Sequence, residues 1–280
     1  METIDRALAA AVLARTIRMG LRRPADAAAS RPEDEAGAAL RQAAVPPRFE
    51  DEACAALRQA AAVLDDGGSV AGSIAGAVER LLSVPAEDPQ DQAGRHAGLF
   101  GHSLRGRICP YETEYGGGAP FRQSQDLADI SGYYLAFGLT PARAGDVERV
   151  DHAACELEYF EFLRTKEAWA IQEGDTEMLE VTRDAAAGFL KDHLGRFGVA
   201  FGATLSREDP HGYYGRLGEL CVALLKAECQ HLGLPAGPEF MQMRSTEDDG
   251  VPMACGSGSC PATGPDEDDL VTIGSPKASG

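Results

Sequence analysis

Val, Ile and Thr seldom cluster in this chain of 280 residues, and Ala, Leu, Glu, Arg and Gln fill it instead. Strands draw on runs of β-branched and aromatic residues, whereas alanine and the straight-chain residues lose little freedom in a helix. The pattern argues against paired strands and predicts an all-α protein. Helical spacing of apolar residues recurs over 3–22, 50–64, 70–82, 91–105, 125–137, 148–173, 177–201 and 212–231, with a shorter helix expected around 35–43. Pro24 stops the first of these, and the Asp-Asp-Gly-Gly-Ser turn at 65–69 introduces the one at 70–82. The expectation is a single helical-bundle domain of about nine helices over residues 1–245. No fixed-period repeat is present, which argues against a solenoid.

From residue 246 onward the composition turns to Asp, Glu, Gly, Ser and Pro, with seven acids against the single base Lys277. Segments of this kind bury too little apolar surface to offset the entropy of ordering, so 246–280 reads as a flexible acidic tail. The whole chain carries a net charge of −18. That sign argues against nucleic acid, whose phosphates need a basic stripe to displace their counterions. It suits a cationic partner, such as a basic peptide.

The seven cysteines are scattered, which fits free thiols in a reducing compartment. No run approaches the roughly 18 apolar residues of a membrane span. The apolar run at 7–14 follows Glu2 and Asp5, and the arginines at 15, 18, 22 and 23 come after it, which is the wrong order for an export signal. The chain is therefore expected in the cytoplasm, without membrane insertion.

Two regions concentrate functional groups. One is the Gly- and Pro-punctuated loop 107–120, which contains Cys-Pro-Tyr-Glu-Thr-Glu-Tyr-Gly. The other is Glu148-Arg-Val-Asp-His152, expected at the start of an amphipathic helix, where spacing by three and four would put Glu148, Asp151, His152 and Cys155 on one face. Such a face could receive a cation or hydrogen-bond a peptide. On the residues alone the plainer reading is a helix cap, supplied by Asp146 or Glu148, beside an interfacial histidine. A carboxylate-bridged metal centre would need a second Glu-x-x-His, to which Asp192-His193 and Glu228 with His231 come nearest. Cys255 and Cys260, at Cys-x4-Cys spacing in the tail, are half of a metal site at most, or an oxidisable pair. The paired tyrosines at 133–134 and 213–214 are expected near helix starts, Trp169 in the core, and Glu156, Glu158 and Glu161 on a solvated face. Phosphate-loop, dinucleotide and nucleophile-elbow motifs are absent, so neither catalysis nor a resident cofactor is expected.

Taken together, LFGHSLRGRICPYETEYG, QDLADISGYYLAFGL, ERVDHAACELEYFEFLRTKEA, GFLKDHLGRF and YYGRLGELCVALLKAE resemble the TorD/DmsD family, the cytoplasmic chaperones of molybdopterin oxidoreductases. The resemblance runs over about 99–232 by those segments. The family's Tyr-x-x-Leu-Phe is matched by His96, Leu99 and Phe100, with His in place of Tyr. Its Glu-x-x-Asp-His is matched by Glu148, Asp151 and His152, with Val150 where Pro is usual. The CPYETEYG segment is most similar to the branch serving dimethylsulfide or ethylbenzene dehydrogenase and selenate or chlorate reductase. The resemblance implies a non-enzymatic, TorD-like helical chaperone. Its partner would be the apo catalytic subunit of a molybdopterin oxidoreductase, bound through a twin-arginine signal peptide, with export delayed until the molybdenum cofactor is inserted. Glu112, Glu114, Glu148, Asp151 and His152 would then line the polar part of the binding surface, and Leu99, Phe100, Tyr111 and Tyr133 the apolar part. The competing reading is a metal-binding or redox accessory protein using Cys255 and Cys260.

Overall fold

Alanine lets helices approach closely, and the first helix uses this fully. In the computed structural model, which describes residues 3–22, 51–65, 73–101, 107–116, 120–140 and 148–244, α1 (Ile4–Leu21) buries five alanines with Leu13, Ile17 and Leu21. The Thr3 hydroxyl caps its N-terminus, accepting from the Arg6 N–H at 3.2 Å. The helix lies along α6 (Ala153–Glu173) and also touches α2 (Asp51–Leu64) and α9 (Tyr213–His231).

α3 (Ile74–Leu82) bridges α2 and α9. α4 (Pro89–Phe100) opens with Asp88 as its cap and Pro89 in the first turn, where the missing N–H costs nothing. α5 spans Pro120–Ala136. α6 ends at Gly174, which supplies the left-handed conformation (φ 69°) that reverses the chain into α7 (Thr176–Phe189). A π-helical segment, Leu190–Leu194, joins α7 to α8 (Gly195–Glu208), so 176–208 forms one continuous rod.

α8 and α9 form an antiparallel hairpin in which glycine packs on glycine. A Cβ on Gly218 would run into the Gly202 carbonyl oxygen, and one on Gly202 would lie 2.8 Å from that of Gly218. Phe160, Phe189, Phe197, Phe201 and Tyr214, all fully buried, fill the space between the helices.

A network of buried charges ties four helices together. Glu228 on α9 accepts from Arg6 on α1 (3.0 Å) and pairs with Arg164 on α6 (3.3 Å). Arg164 also holds Glu167 (2.6 Å), which receives Arg183 of α7 at 2.6 Å. Arg164, Glu167 and Glu228 have no solvent exposure. Glu228 is therefore committed to two arginines, which corrects its reading as half of a second carboxylate–histidine metal pair.

The architecture is all-helical: among the described residues there are only two isolated β-bridges and no strand. Eight continuous helical rods stand among the described residues where eight were expected. The helix expected at 35–43 and the tail at 246–280, with Cys255 and Cys260, lie outside the described residues. No described helix is long and apolar enough to cross a membrane.

Several local expectations are corrected. Residues 148–151 precede α6 instead of opening it, and His152 is its cap. Tyr133 and Tyr134 stand near the end of α5, not near a helix start, and that helix begins at Pro120, five residues earlier than expected. Trp169 is half exposed, and Glu156 has no exposure at all. Glu158 and Glu161 meet Arg18 of α1 at 3.3 and 2.9 Å.

Candidate functional site

The loop 107–116 crosses the N-terminal end of α6 as a strap. Its inner residues Ile108 and Cys109 are fully buried, and the Ile108 N–H donates to the Leu99 carbonyl at 2.9 Å. Leu99 and Phe100 lie in the core behind the strap, where Phe100 meets His96 at 4.6 Å between ring centroids. Burial pushes the Cys109 thiol up to about 11, so it stays protonated and packs as a small hydrophobe.

Two backbone bonds fasten the strap to the approach of α6. The Glu112 N–H donates to the Asp151 carbonyl (2.9 Å) and the Ala153 N–H to the Pro110 carbonyl (2.7 Å), pairing Tyr111 with His152. A single 3-10 turn, Glu112–Glu114, then brings three polar side chains over the junction. On its far side the strap is held by 242–244: Gly116 donates to the Gln242 carbonyl and Arg244 to that of Glu114.

Asp151, fully buried, is the hub. Its Oδ2 accepts from the Thr113 N–H (3.1 Å) and hydroxyl (2.8 Å). Arg149 forks onto the same carboxylate, with Nε to Oδ1 at 2.5 Å and Nη2 to Oδ2 at 2.9 Å, and reaches Glu114 at 3.2 Å. The guanidinium carbon stands 4.5 Å from the centroid of the Tyr111 ring. The Tyr111 hydroxyl donates to exposed Glu148 at 2.8 Å. Burial and then that carboxylate raise the phenol's pKa, keeping it a donor.

His152 accepts the Ala154 N–H on Nδ1 at 3.0 Å, capping α6. That bond needs a free lone pair, and burial lowers the ring's pKa, so both effects favour neutral imidazole with its proton on Nε2. His193 is the opposite case. Burial alone would lower its pKa, but Glu112 (3.0 Å to Nδ1) and Asp129 (3.0 Å to Nε2) overcome this and raise it, which favours imidazolium. His193 comes from the π-helical segment, whose extra residue per turn re-aims the side chains around it.

Glu112 receives Arg196 as well, at 2.7 Å. Behind it stands Glu156 of α6, fully buried, with no donor reaching either carboxyl oxygen. Desolvation first, and then the charges of Glu112 and Asp151, raise its pKa well above the usual carboxylate range. It is held as the neutral acid.

Six of the residues singled out from sequence therefore meet in one cluster: Tyr111, Glu112, Glu114, Glu148, Asp151 and His152. Tyr133 joins it through His193, at 5.7 Å between rings. Leu99 and Phe100 support the strap from within. Sequence reasoning missed Arg149, Thr113, Arg196 and Glu156 as members, and it considered His193 only for metal. The one available signal was the three-residue spacing of His193 and Arg196 within GFLKDHLGRF, which puts both on one helical face. Among the described residues no group of three or more His, Cys, Asp and Glu is arranged to hold a metal ion.

Fold and site together define an all-helical bundle protein whose polar groups converge where a strap crosses a helix N-terminus. The sequence profile of the nitrate reductase delta subunit family matches residues 49–203, a span that contains the strap, the Asp151 hub, His193 and Arg196. The chain belongs to that family, whose members are maturation chaperones of molybdoenzymes. No curated protein sequence matches the chain.

Proposed function

We propose that this protein binds the immature catalytic subunit of a molybdopterin oxidoreductase by its twin-arginine signal peptide in the cytoplasm, assists cofactor insertion and delays export until maturation is complete. The client would be of the dimethylsulfide or ethylbenzene dehydrogenase, selenate or chlorate reductase type, on the resemblance of the CPYETEYG strap to that branch. The observation that carries the reading is the chemistry of the cluster. A bidentate carboxylate, a second carboxylate and an aromatic face together already hold a guanidinium, in the geometry that distinguishes arginine from lysine. Exposed Glu148 extends the acidic surface toward solvent, and half-buried Tyr111 and Tyr133 supply apolar area beside it. The net charge of −18 favours encounter with a cationic peptide.

Titrating the full chain with a synthetic twin-arginine signal peptide tests this. Saturable binding that weakens with salt is expected, and a peptide with both arginines replaced by lysine should bind more weakly. Glu148→Lys removes an exposed carboxylate and its hydrogen bond from Tyr111, and it should lower affinity about tenfold at low salt while the helical signal stays that of wild type. Equal binding of the two peptides, or none of either, overturns the reading.

A further inference from the structure

We propose that His193 is a latch: with a proton on each ring nitrogen it pins α5 over the 3-10 turn of the strap, and loss of one proton frees the helix and uncovers that turn. The latch stands on its own contacts; its use to control client access rests on the function proposed above.

Among the described helices, α5 is the least committed to the core. Ile130 is the one buried residue among those whose side chains are described in it. The rings of Tyr133, Tyr134 and, just past the helix, Phe137 rest against Tyr159 of α6. Otherwise its hold is polar. The Tyr134 hydroxyl donates to the Val150 carbonyl (2.9 Å), and the Tyr159 hydroxyl to that of Tyr133 (3.1 Å). Gln123 Nε2 donates to Thr113 Oγ1 (3.2 Å) and Glu114 Oε1 (3.1 Å), which lays α5 over the turn Glu112–Glu114, and all three residues of that turn are buried. Elements with so little buried apolar area are the ones that open locally.

His193 faces two carboxylates at once, with Nδ1 3.0 Å from Glu112 Oε2 on the strap and Nε2 3.0 Å from Asp129 Oδ2 on α5. Only the doubly protonated ring donates to both. A neutral ring turns a lone pair toward one of them. The arm that yields is Asp129, whose side chain is 65% exposed and regains water, whereas Glu112 is 2% exposed and is held by Arg196 as well.

The remaining groups around the ring leave its titration to these two acids. Tyr133 of α5 and Phe189 of α7 meet it as rings. Arg196 of α8 and the neutral acid Glu156 of α6 adjoin Glu112. Lys191 and Asp192, its neighbours in the π-helical segment, are more than half exposed. From α9, Cys229 packs at Gly195, and burial pushes its thiol up to about 11, so it stays uncharged. Glu112 and Asp129 raise the ring's pKa in spite of its burial. The latch is therefore closed at acidic pH and opens as pH rises through the folded value.

Hydrogen exchange on the full chain tests this, scanned from about pH 5.5 to about pH 9.5 and corrected for intrinsic rates. A detached helix of 17 residues is marginal by itself, so opening of α5 shows in its own amides. In wild type, protection of the α5 amides should fall about tenfold or more relative to those of α9, which serve as an internal reference for global opening. Asp129→Ala removes an exposed side chain; its α5 should be poorly protected at acidic pH already, with the pH-dependent fall gone. His193→Gln, which does not titrate, should give the same flat profile. A flat profile in wild type, or an equal fall in both variants, overturns the proposal. So does a His193 ring signal in nuclear magnetic resonance that titrates no higher in wild type than in Asp129→Ala. With a twin-arginine peptide, wild-type affinity should rise across the same pH range as Glu112 and Glu114 are uncovered. Opening of α5 with no peptide binding at any pH supports the latch and sinks the client reading. Peptide binding with α5 protection that ignores pH sinks the latch and leaves the client reading in place.

Discussion

At the scale of single residues, titration and burial set the properties of the cluster. Glu156 offers the cleanest measurement. In the unfolded chain its carboxyl loses its proton near the ordinary value, while in the folded protein desolvation keeps the proton on. The folded state thus binds more protons than the unfolded state above about pH 4, and each further pH unit removes about 1.4 kcal/mol until the raised folded pKa is passed. Glu156→Gln cannot ionise and fits the same space. It should match wild type near pH 4 and exceed it in urea denaturation at about pH 7.5; a gap that stays constant between the two would mean that the acid is ionised in the fold. The sequence placed Glu156 beside Glu158 and Glu161 as one run, because adjacency does not reveal which member points inward. Glu156 faces the strap, while its two neighbours face Arg18 of α1.

Among elements, helix existence was legible and helix edges were not. The residues that favour helix fill all eight described rods, so composition and period were enough. The start of α6 was misplaced because its cap is a histidine, outside the usual Ser, Thr, Asp and Asn set, and because the charged residues before it carry a helical spacing that the backbone does not follow. The π-helical segment within 176–208 left no pattern in the sequence either, and its effect, aiming His193 at Glu112 and Asp129, exists only once the strap and α5 are in place. Glycine at the α8–α9 crossing has a packing role that its sequence neighbours do not announce. Gly218→Val would drive a side chain against the Gly202 carbonyl and Leu205, and should cost about 1–3 kcal/mol or more. The check is a fall in the urea midpoint while the far-ultraviolet helical signal at low denaturant stays that of wild type; an unchanged midpoint would mean that the two helices separate at no cost.

On the scale of the whole molecule, buried charge links helices distant in sequence. Removing Glu228 from the Arg6–Glu228–Arg164–Glu167–Arg183 network takes one carboxylate from both Arg6 and Arg164 in the interior, while Arg164 and Arg183 keep Glu167. Glu228→Ala should destabilise the fold by about 3–5 kcal/mol, as removal of one partner of a buried pair does. A loss below about 1 kcal/mol in chemical denaturation would show that water or a neighbouring group takes its place. The same logic governs the candidate site, whose hub Asp151 is compensated by Arg149 alone among the described arginines in contact with it.

By itself, the sequence determined that the chain is helical, where most of its helices run, and that residues 111–114 and 148–152 carry its concentrated polar chemistry, since propensity, period and residue type are local properties. Tertiary structure alone decided which of those groups face one another: that Arg149 and Thr113 converge on the buried Asp151 carboxylate, that Glu112 is claimed by residues some eighty positions away, and that Glu156 is sealed as a neutral acid. Burial and charge compensation depend on distances between segments that packing brings together, and no local pattern in a sequence encodes those distances.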